Sequence, residues 1–276
     1  MKIPFTKAHG CANDFLIVEG EASAFGDPVA LARAICDRHT GVGADGLYFL
    51  RERSVHPAVK MARPPSWHGG LHFLRDRQVH LYNSDGSPAT LSGNGTRCVA
   101  AFLASQAGGE AVGAIISIET GAGLRDLLLV SRNGNLFHFA MNLGPVSVSP
   151  GPEGSFDVAI GNPQCVNLVD SLDFDWKSRG AALERHPHYP DRANVEFVRV
   201  DDRHRITIRI WERGAGWTQS SGTGAASSAV AAVHAGKAEY PVTVGTEGGD
   251  LLVESRDGEI VLTGPAEIVA EGVFYT

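Results

Sequence analysis

The sequence predicts an α/β protein made of two similar domains, each a sheet wrapped around a buried central helix. Two alanine-rich segments, Cys98–Leu103 and Ala229–Val233, contain no charged residue. A helix that is apolar on nearly all sides is expected to be buried. Many short apolar segments separated by glycine-rich turns surround both helices, and this pattern is typical of strands joined by hairpins.

The individual elements follow in chain order. The first strand is predicted at residues 15–18, and a helix is predicted from Asp27 to Arg38, where Asp27 suits the N-cap and Pro28 suits the first helical position. Residues 41–46 form a turn, and the proline-containing segment 56–70 is predicted to be a loop. Further strands are predicted at residues 47–50, 114–119, 127–130, 136–141, 206–211 and 251–253.

Composition limits the classes of function. The 276 residues suffice for two domains, and 31 acidic against 24 basic residues give a net charge of -7. This charge argues against nucleic acid or an anionic membrane as a partner. Residues 1–9 lack the apolar core of a signal peptide, and the four cysteines show neither zinc spacing nor a disulfide pattern. We therefore expect a cytoplasmic protein without a metal site that binds a small molecule.

The two halves of the sequence share three features in the same order. Each central helix is preceded by the pattern Ser-Gly-x-Gly, each pattern has a polar residue nine positions before its serine, and each half has an asparagine before an apolar strand. The pairs are Ser92–Gly95 with Ser221–Gly224, Asn83 with Glu212, and Asn13 with Asn162. These matches predict an internal duplication.

The paired glycine motifs indicate an anion site. A glycine turn at a helix start leaves backbone N–H groups unpaired, and the helix dipole adds partial positive charge there. One Ser-Gly pair is often only an N-cap and a tight turn. Two matched starts favour a function, because together they could bind one carboxylate from both sides.

These residues belong to a larger set of segments that resembles the diaminopimelate epimerase family. The resemblance covers nearly the whole chain in the family's order and rests on His9–Phe15, Gly41–Gly46, Asn83–Ser87, Ser92–Cys98, Gly161–Pro163, Asn194–Val198, Glu212–Gly216 and Ser221–Gly224. It implies two pseudo-symmetric domains, each a curved, mostly antiparallel sheet around a central helix. We expect the first domain over residues 1–122 with 266–276 and the second over residues 123–265.

The resemblance also implies an activity. Members of the family interconvert LL- and meso-diaminopimelate, in lysine and peptidoglycan precursor biosynthesis, without a cofactor. One cysteine removes the α-proton and an opposite cysteine supplies another, so the family members are racemase-type isomerases. By this resemblance the α-carboxylate would be held by Gly93, Asn94, Gly222 and Thr223. The rest of the pocket would be lined by Asn13, Asn83, Asn162, Asn194, Glu212 and Arg213, and a homodimer is expected.

The sequence departs from the family's pattern at the positions of the catalytic residues. Ser92 and Ser221 stand where the family has its two catalytic cysteines, and Gln164 stands where it usually has a histidine. A thiol has a pKa of about 8.5, which a helix start lowers further, whereas a serine hydroxyl needs a neighbouring base. Glu212 remains to assist, so the candidate catalytic residues are Ser92, Ser221 and Glu212.

The cysteines that remain are expected to serve packing. Cys98 matches a second cysteine that the family carries inside the helix, and it is interpreted as a small buried apolar residue. Cys11 and Cys165, one in each half, are interpreted as strand-packing residues in preference to a relocated pair of catalytic thiols.

Several functional hypotheses stay open. The serines are either engineered replacements or natural ones, and a natural pair supports the same reaction slowly or a related proton abstraction on another amino acid. The alternative from a different class is a catalytically silent amino-acid-binding protein. A phenazine-biosynthesis-like isomerase ranks below both, because no motif matches the catalytic glutamate of that group.

Overall fold

The computed structural model describes residues 1–52, 77–106 and 112–276. The predicted loop at residues 56–70 lies outside these ranges. The described chain forms two compact units, one of Met1–Met141 with Pro265–Thr276 and one of Asn142–Gly264. Among the described residues, no helix is long and apolar enough to cross a membrane.

The described residues of the first unit form eight strands and two α-helices before the chain enters the second unit. The strands are β1 (Lys2–Gly10), β2 (Asn13–Glu19), β3 (Gly46–Glu52), β4 (Arg77–Asn83), β5 (Pro88–Ala89), β6 (Ile115–Thr120), β7 (Gly123–Asn133) and β8 (Leu136–Gly144). The helices are α1 (Pro28–Cys36) and α2 (Gly93–Gln106). Helix α1 begins as predicted, because the side chain of Asp27 accepts a hydrogen bond from the Val29 amide.

The second unit is built from the same kinds of strands and helices. Its strands are β9 (Ser147–Pro150), β10 (Phe156–Ala159), β11 (Pro163–Leu168), β12 (Asn194–Asp202), β13 (Arg205–Glu212), β14 (Gly216–Thr218), β15 (Val242–Thr246) and β16 (Gly249–Arg256), and its helices are α3 (Trp176–Glu184) and α4 (Gly222–His234). The last strand, β17 (Glu259–Tyr275), pairs with β16 through its first residues and with β1 through its last.

Strand pairing confirms the predicted fold class and shows the duplication directly. In the first unit two pairs are parallel, β2–β3 and β4–β6. The other pairs are antiparallel: β17–β1, β1–β2, β3–β4, β4–β5, β6–β7 and β7–β8. The second unit has the same order of antiparallel and parallel pairs from β9 to β17. The described strands of each unit are therefore mostly antiparallel, with two parallel pairs in each unit.

Each central helix lies in the core of its unit, as predicted. Residues Asn94–Ala104 of α2 are all buried, and the apolar ones share a core with Phe137 and Phe139 of β8. In α4, the alanines at 225, 226, 229, 231 and 232 have no exposed surface. Small side chains allow the strands to approach both helices closely, which explains their alanine content.

Two features differ from the predictions. Helix α3 was not predicted, although it occupies the same place in the second unit as α1 in the first, between the two strands of the first parallel pair. The first boundary between units falls after Met141 instead of residue 122, because β7 pairs with β6 and β8 pairs with β7. The second falls after Gly264 instead of residue 265.

Candidate functional site

The start of α2 carries the first glycine motif. Ser92 caps this helix, because its Oγ accepts a hydrogen bond from the Gly95 amide at 3.1 Å and its carbonyl accepts one from the Thr96 amide at 2.8 Å. Gly95 must be glycine, since a Cβ there would lie 2.5 Å from the buried hydroxyl of Tyr48. The backbone N–H groups of Gly93 and Asn94 belong to the first turn, where a helix binds anions.

The side chain of Asn94 faces inward, where its hydrogen bonds hold the start of α2 in place. Its Oδ1 accepts a hydrogen bond at 2.5 Å from Nη2 of Arg97, a fully buried arginine whose Nε donates to the Pro265 carbonyl. Its Nδ2 donates to Oδ1 of Asn13 at 3.3 Å. The side chain of Asn94 therefore connects α2 to Asn13.

Asn13 is held in turn by a charged network. Its Nδ2 donates to Oδ2 of Asp45 at 2.7 Å, and Arg38 bridges Asp45 and Asp14. Lys7 lies 3.0 Å from Asp14. Burial would raise the pKa of Asp14, but hydrogen bonds from Arg38 and Lys7 outweigh it and lower the pKa.

Asn83 lies in a turn of its own at the end of β4. Its Nδ2 donates to Oγ of Ser87 at 2.9 Å, and its backbone amide donates to the Ser87 carbonyl. The residue is exposed, so its amide is accessible to a ligand.

The start of α4 in the second unit repeats the geometry of α2. Ser221 is the N-cap, and its Oγ accepts a hydrogen bond from the Gly224 amide at 3.2 Å. Gly222 is buried and Thr223 is partly exposed. Ser92 and Ser221 are therefore both helix caps, and each hydroxyl keeps its own proton to donate.

Four polar side chains lie on the face of the second sheet that α4 covers. The parallel register places Gln164 opposite Asn194, and alternation along β12 puts Glu196 on the same face as Asn194. The antiparallel pair Val195–Trp211 sets Glu212 opposite Asn194. The sheet therefore gathers these groups at the start of α4.

Gln164 connects two of the predicted site residues. Its Nε2 donates to Oδ1 of Asn162 at 2.7 Å and to Oγ1 of Thr223 at 3.2 Å. Both belong to the predicted binding set. Gln164 thus joins Asn162 to the first turn of α4 through a side-chain amide, which does not titrate.

The loop that carries Glu212 and Arg213 is anchored by a residue that sequence analysis missed. Glu184, at the end of α3, accepts hydrogen bonds from Trp211 Nε1 and from the Gly214 amide, both at 2.9 Å. The Arg213 amide donates to Oδ1 of Asn194 at 2.9 Å. The exposed Arg213 guanidinium donates to one backbone carbonyl, that of Asp191, and keeps further N–H groups for a ligand.

Glu196 is the second residue that the sequence did not single out. It has no exposed surface, and neither carboxyl oxygen has a hydrogen-bond partner among the described residues. Burial, together with the negative charge of Glu212, raises its pKa well above the usual range. A glutamate flanked by valine and phenylalanine in a strand gives no sequence signal of this burial.

Two of the cysteines, Cys98 and Cys165, contribute no thiol to this arrangement. Burial raises the pKa of Cys98 to about 12, so its thiol does not ionise at neutral pH. Cys165 lies on the opposite face of β11 from Gln164, where it packs with Trp176 and Phe197, and burial raises its pKa as well. Among the described residues, no group of three or more metal-binding side chains comes together.

A cavity of about 520 Å³ opens in the second unit beside these groups. Asn162 and Gln164 form part of its lining, as does His188, whose Nε2 lies 2.6 Å from Oδ2 of Asp157. The predicted residues thus fall into two sets. Asn13, Asn83, Ser92, Gly93 and Asn94 belong to the first unit, and Asn162, Asn194, Glu212, Arg213, Ser221, Gly222 and Thr223 belong to the second.

Solved structures share the fold of this chain at low sequence identity. A phenazine biosynthesis protein of the PhzF family from Bacillus anthracis covers all of both chains with a TM-score of 0.71 at 14% identity. A hydroxyproline epimerase from Agrobacterium vitis covers 99% of this chain and 91% of its own, with a TM-score of 0.64 at 14% identity. At such identities the likeness shows the fold alone.

Sequence comparison gives the class and then the family. Proteins called diaminopimelate epimerase match over nearly their full lengths. That of Phocaeicola vulgatus is 34% identical over 98% of this chain and 97% of its own, and that of Desulforudis audaxviator is 37% identical over 97% and 98%. The chain is therefore an enzyme of the isomerase class, of the amino-acid epimerase type. The sequence model of diaminopimelate epimerase matches residues 5–148 and 156–269, and the chain belongs to the diaminopimelate epimerase family.

Proposed function

We propose that this chain is a cofactor-independent epimerase that interconverts LL- and meso-diaminopimelate, a step of lysine and peptidoglycan precursor biosynthesis. The observation that carries the proposal is the repeated helix start. In each unit a serine caps a buried helix at the same topological position and is followed by glycine. The named relatives support the choice of substrate.

The backbone supports binding of the α-carboxylate. The amides of Gly93 and Asn94 and those of Gly222 and Thr223 lie in first turns, where N–H groups and the helix dipole both favour an anion. Arg213 has an exposed guanidinium that suits a second, distal carboxylate, because a guanidinium can bind both oxygens in a fork. The amides of Asn13, Asn83, Asn162 and Asn194 complete the proposed lining.

The serines define the proposed chemistry. One serine passes its hydroxyl proton to a neighbouring base and its oxygen accepts the α-proton, while the hydroxyl on the opposite face donates its proton to the α-carbon. That second serine then regains a proton from water and the base releases its proton to water, so both hydroxyls and the base return to their starting states. Glu212 is the carboxylate assigned to accept the proton of Ser221. A helix N–H already donates to each Oγ, which stabilises developing negative charge on that oxygen. Because a hydroxyl is a weaker acid than a thiol, turnover should be slow.

One observation favours a second candidate, a protein that binds the amino acid without turning it over. Both hydroxyls are already used as helix caps, and the group beside Thr223 is the amide of Gln164, which cannot act as a base at neutral pH. In this second candidate the helix starts still bind the carboxylate, while the two cysteines that the resemblance implies as bases are absent.

Exchange of the substrate α-proton separates the two candidates. LL- and meso-diaminopimelate are each incubated with the protein in deuterated water, and the α-proton signal is followed by NMR while calorimetry measures binding. The epimerase predicts loss of the α-proton signal and appearance of the other isomer. Binding without exchange would support the silent binding protein, and no binding of either isomer would show that the pocket serves another ligand.

A further inference from the structure

Glu196 stands out because it is a buried acid without a partner. Its side chain has no exposed surface, and neither Oε1 nor Oε2 has a hydrogen-bond partner among the described residues. An unpaired carboxylate costs far more to bury than a neutral carboxylic acid. The group therefore holds its proton at neutral pH, in agreement with the raised pKa that burial and Glu212 produce.

The position of this acid links it to the start of α4. Oε1 lies 2.8 Å from the point that a Cβ on Gly224 would occupy, and Oγ of Ser221 lies 3.3 Å from the same point. Gly224 donates its amide to that Oγ. The carboxyl of Glu196 and the capping hydroxyl thus flank one glycine in the first turn of the helix.

The groups around Glu196 would do little to stabilise a negative charge on its carboxyl. On β13, Glu212 faces it with a negative charge. On β11, the neutral Gln164 has a buried Oε1 without a partner among the described residues, and the thiol of Cys165 lies on the other face of the strand. The first turn of α4 contains no acidic residue, so its backbone supplies the local positive potential.

We propose that Glu196 is a positioning residue of the α4 carboxylate site, which it keeps open by remaining a neutral acid. A helix start stabilises a nearby anion, and a second negative charge beside it repels that anion. If Glu196 ionises, it becomes that second charge, and it competes with the substrate's carboxylate for the same partial charge. This inference rests on the proposed function, because it requires that the start of α4 bind a carboxylate.

The inference predicts a pH dependence with a definite sign. The pKa of Glu196 in the folded protein is raised, so the neutral form persists above the usual range of glutamate and is lost as the pH rises further. Affinity for a carboxylate ligand should fall across that rise. The fall should be about tenfold, the scale of one repulsion between two charges at a partly shielded site.

Calorimetric titration with LL-diaminopimelate from pH 5 to pH 9 tests this, with the wild-type protein compared with Glu196→Gln. The amide stays neutral at every pH, so Glu196→Gln should lack the alkaline fall in affinity, while the ligand's own titration affects both proteins equally. Glu239→Gln, which removes an exposed carboxylate paired with Arg203, serves as the control and should keep the fall. Carbon-13 NMR of glutamate carboxyl groups should show one group with a raised pKa in the wild type that is missing in Glu196→Gln.

The outcomes separate this inference from the proposed function. If both proteins bind the ligand with the same pH profile, or if the Glu196 carboxyl titrates in the ordinary range, the role of Glu196 is wrong while the proposed function stands. If neither protein binds diaminopimelate at any pH, the proposed function fails and the inference fails with it. If Glu196→Gln does not fold, Glu196→Ala, which is also neutral at every pH, replaces it in both measurements.

Discussion

Restoring the two thiols is the perturbation that bears most on the chemistry. In the double variant Ser92→Cys with Ser221→Cys, each new sulfur would stand at a helix start, which lowers a thiol pKa toward neutrality. Acid–base groups with a suitable pKa contribute roughly 100- to 10,000-fold to a proton transfer. We therefore expect epimerisation of LL-diaminopimelate to accelerate by at least about 100-fold.

The same substitutions should lower stability by an amount that the structure sets. Each serine oxygen accepts one amide hydrogen bond, at 3.1 Å from Gly95 and at 3.2 Å from Gly224. Sulfur is a weak acceptor, and loss of such a cap costs about 1 kcal/mol. The two caps share no partners, so the double variant should lose about 2 kcal/mol in its free energy of unfolding.

The assay is the appearance of the meso isomer by NMR, with urea unfolding measured on the same samples. Ser105→Cys is a matched control, because it places a thiol at the other end of α2, where the hydroxyl donates to the Phe102 carbonyl. That variant should gain no activity. A double variant that folds and binds diaminopimelate but epimerises it no faster than the wild type would refute the assignment of positions 92 and 221.

Three further predictions concern binding, packing and acid stability. Removing the guanidinium in Arg213→Ala should weaken binding of diaminopimelate about tenfold or more in calorimetry, through the distal carboxylate; unchanged affinity would contradict that role. Gly95→Ala should destabilise the protein by roughly 1–3 kcal/mol in urea unfolding, because its Cβ would lie 2.5 Å from the Tyr48 hydroxyl, whereas Gly93→Ala has no atom within 3.7 Å and should cost less. The pKa of Asp14 is lower in the folded protein than in the unfolded chain, so the ionised carboxylate stabilises the fold above its unfolded pKa. This stabilisation is lost as the pH falls through the folded pKa, and Asp14→Asn should therefore reduce the loss of thermal stability below pH 4. An unchanged dependence of the melting temperature on pH would exclude this contribution.

Sequence was sufficient for the elements whose signals are local. The uncharged alanine segments predict α2 and α4, and the pair Asp27–Pro28 predicts the start of α1. The repeated Ser-Gly-x-Gly motif predicts the duplication that strand pairing then confirms. Such signals need no knowledge of the tertiary partners.

Helix α3 shows why other elements were missed. Its buried positions are Trp176, Gly180, Leu183 and Glu184, which have helical spacing, but two of the four are glycine and glutamate. The apolar pattern is therefore too weak to detect. Gly180 is needed because a Cβ there would lie 2.8 Å from Trp211, and Glu184 is needed because it anchors the loop after β13.

Glu196 was missed for a different reason. The alternation of side chains along β12 predicts which face of the sheet Glu196 lies on, but it does not predict what packs against that face. A charged residue in a strand is ordinarily expected to face solvent. Only the register with β11 and the contact with Gly224 place it beneath α4. The binding residues, by contrast, were proposed from resemblance, and the structure describes their contacts without testing their roles.

The crystal structure of a complex with LL-diaminopimelate would show where the substrate's carboxylate binds. We predict one carboxylate within hydrogen-bond distance of the backbone amides at 93–94 and at 222–223, with the oxygens of Ser92 and Ser221 on opposite faces of the α-carbon. A carboxylate bound away from both helix starts, or both serine oxygens on one face, would contradict it.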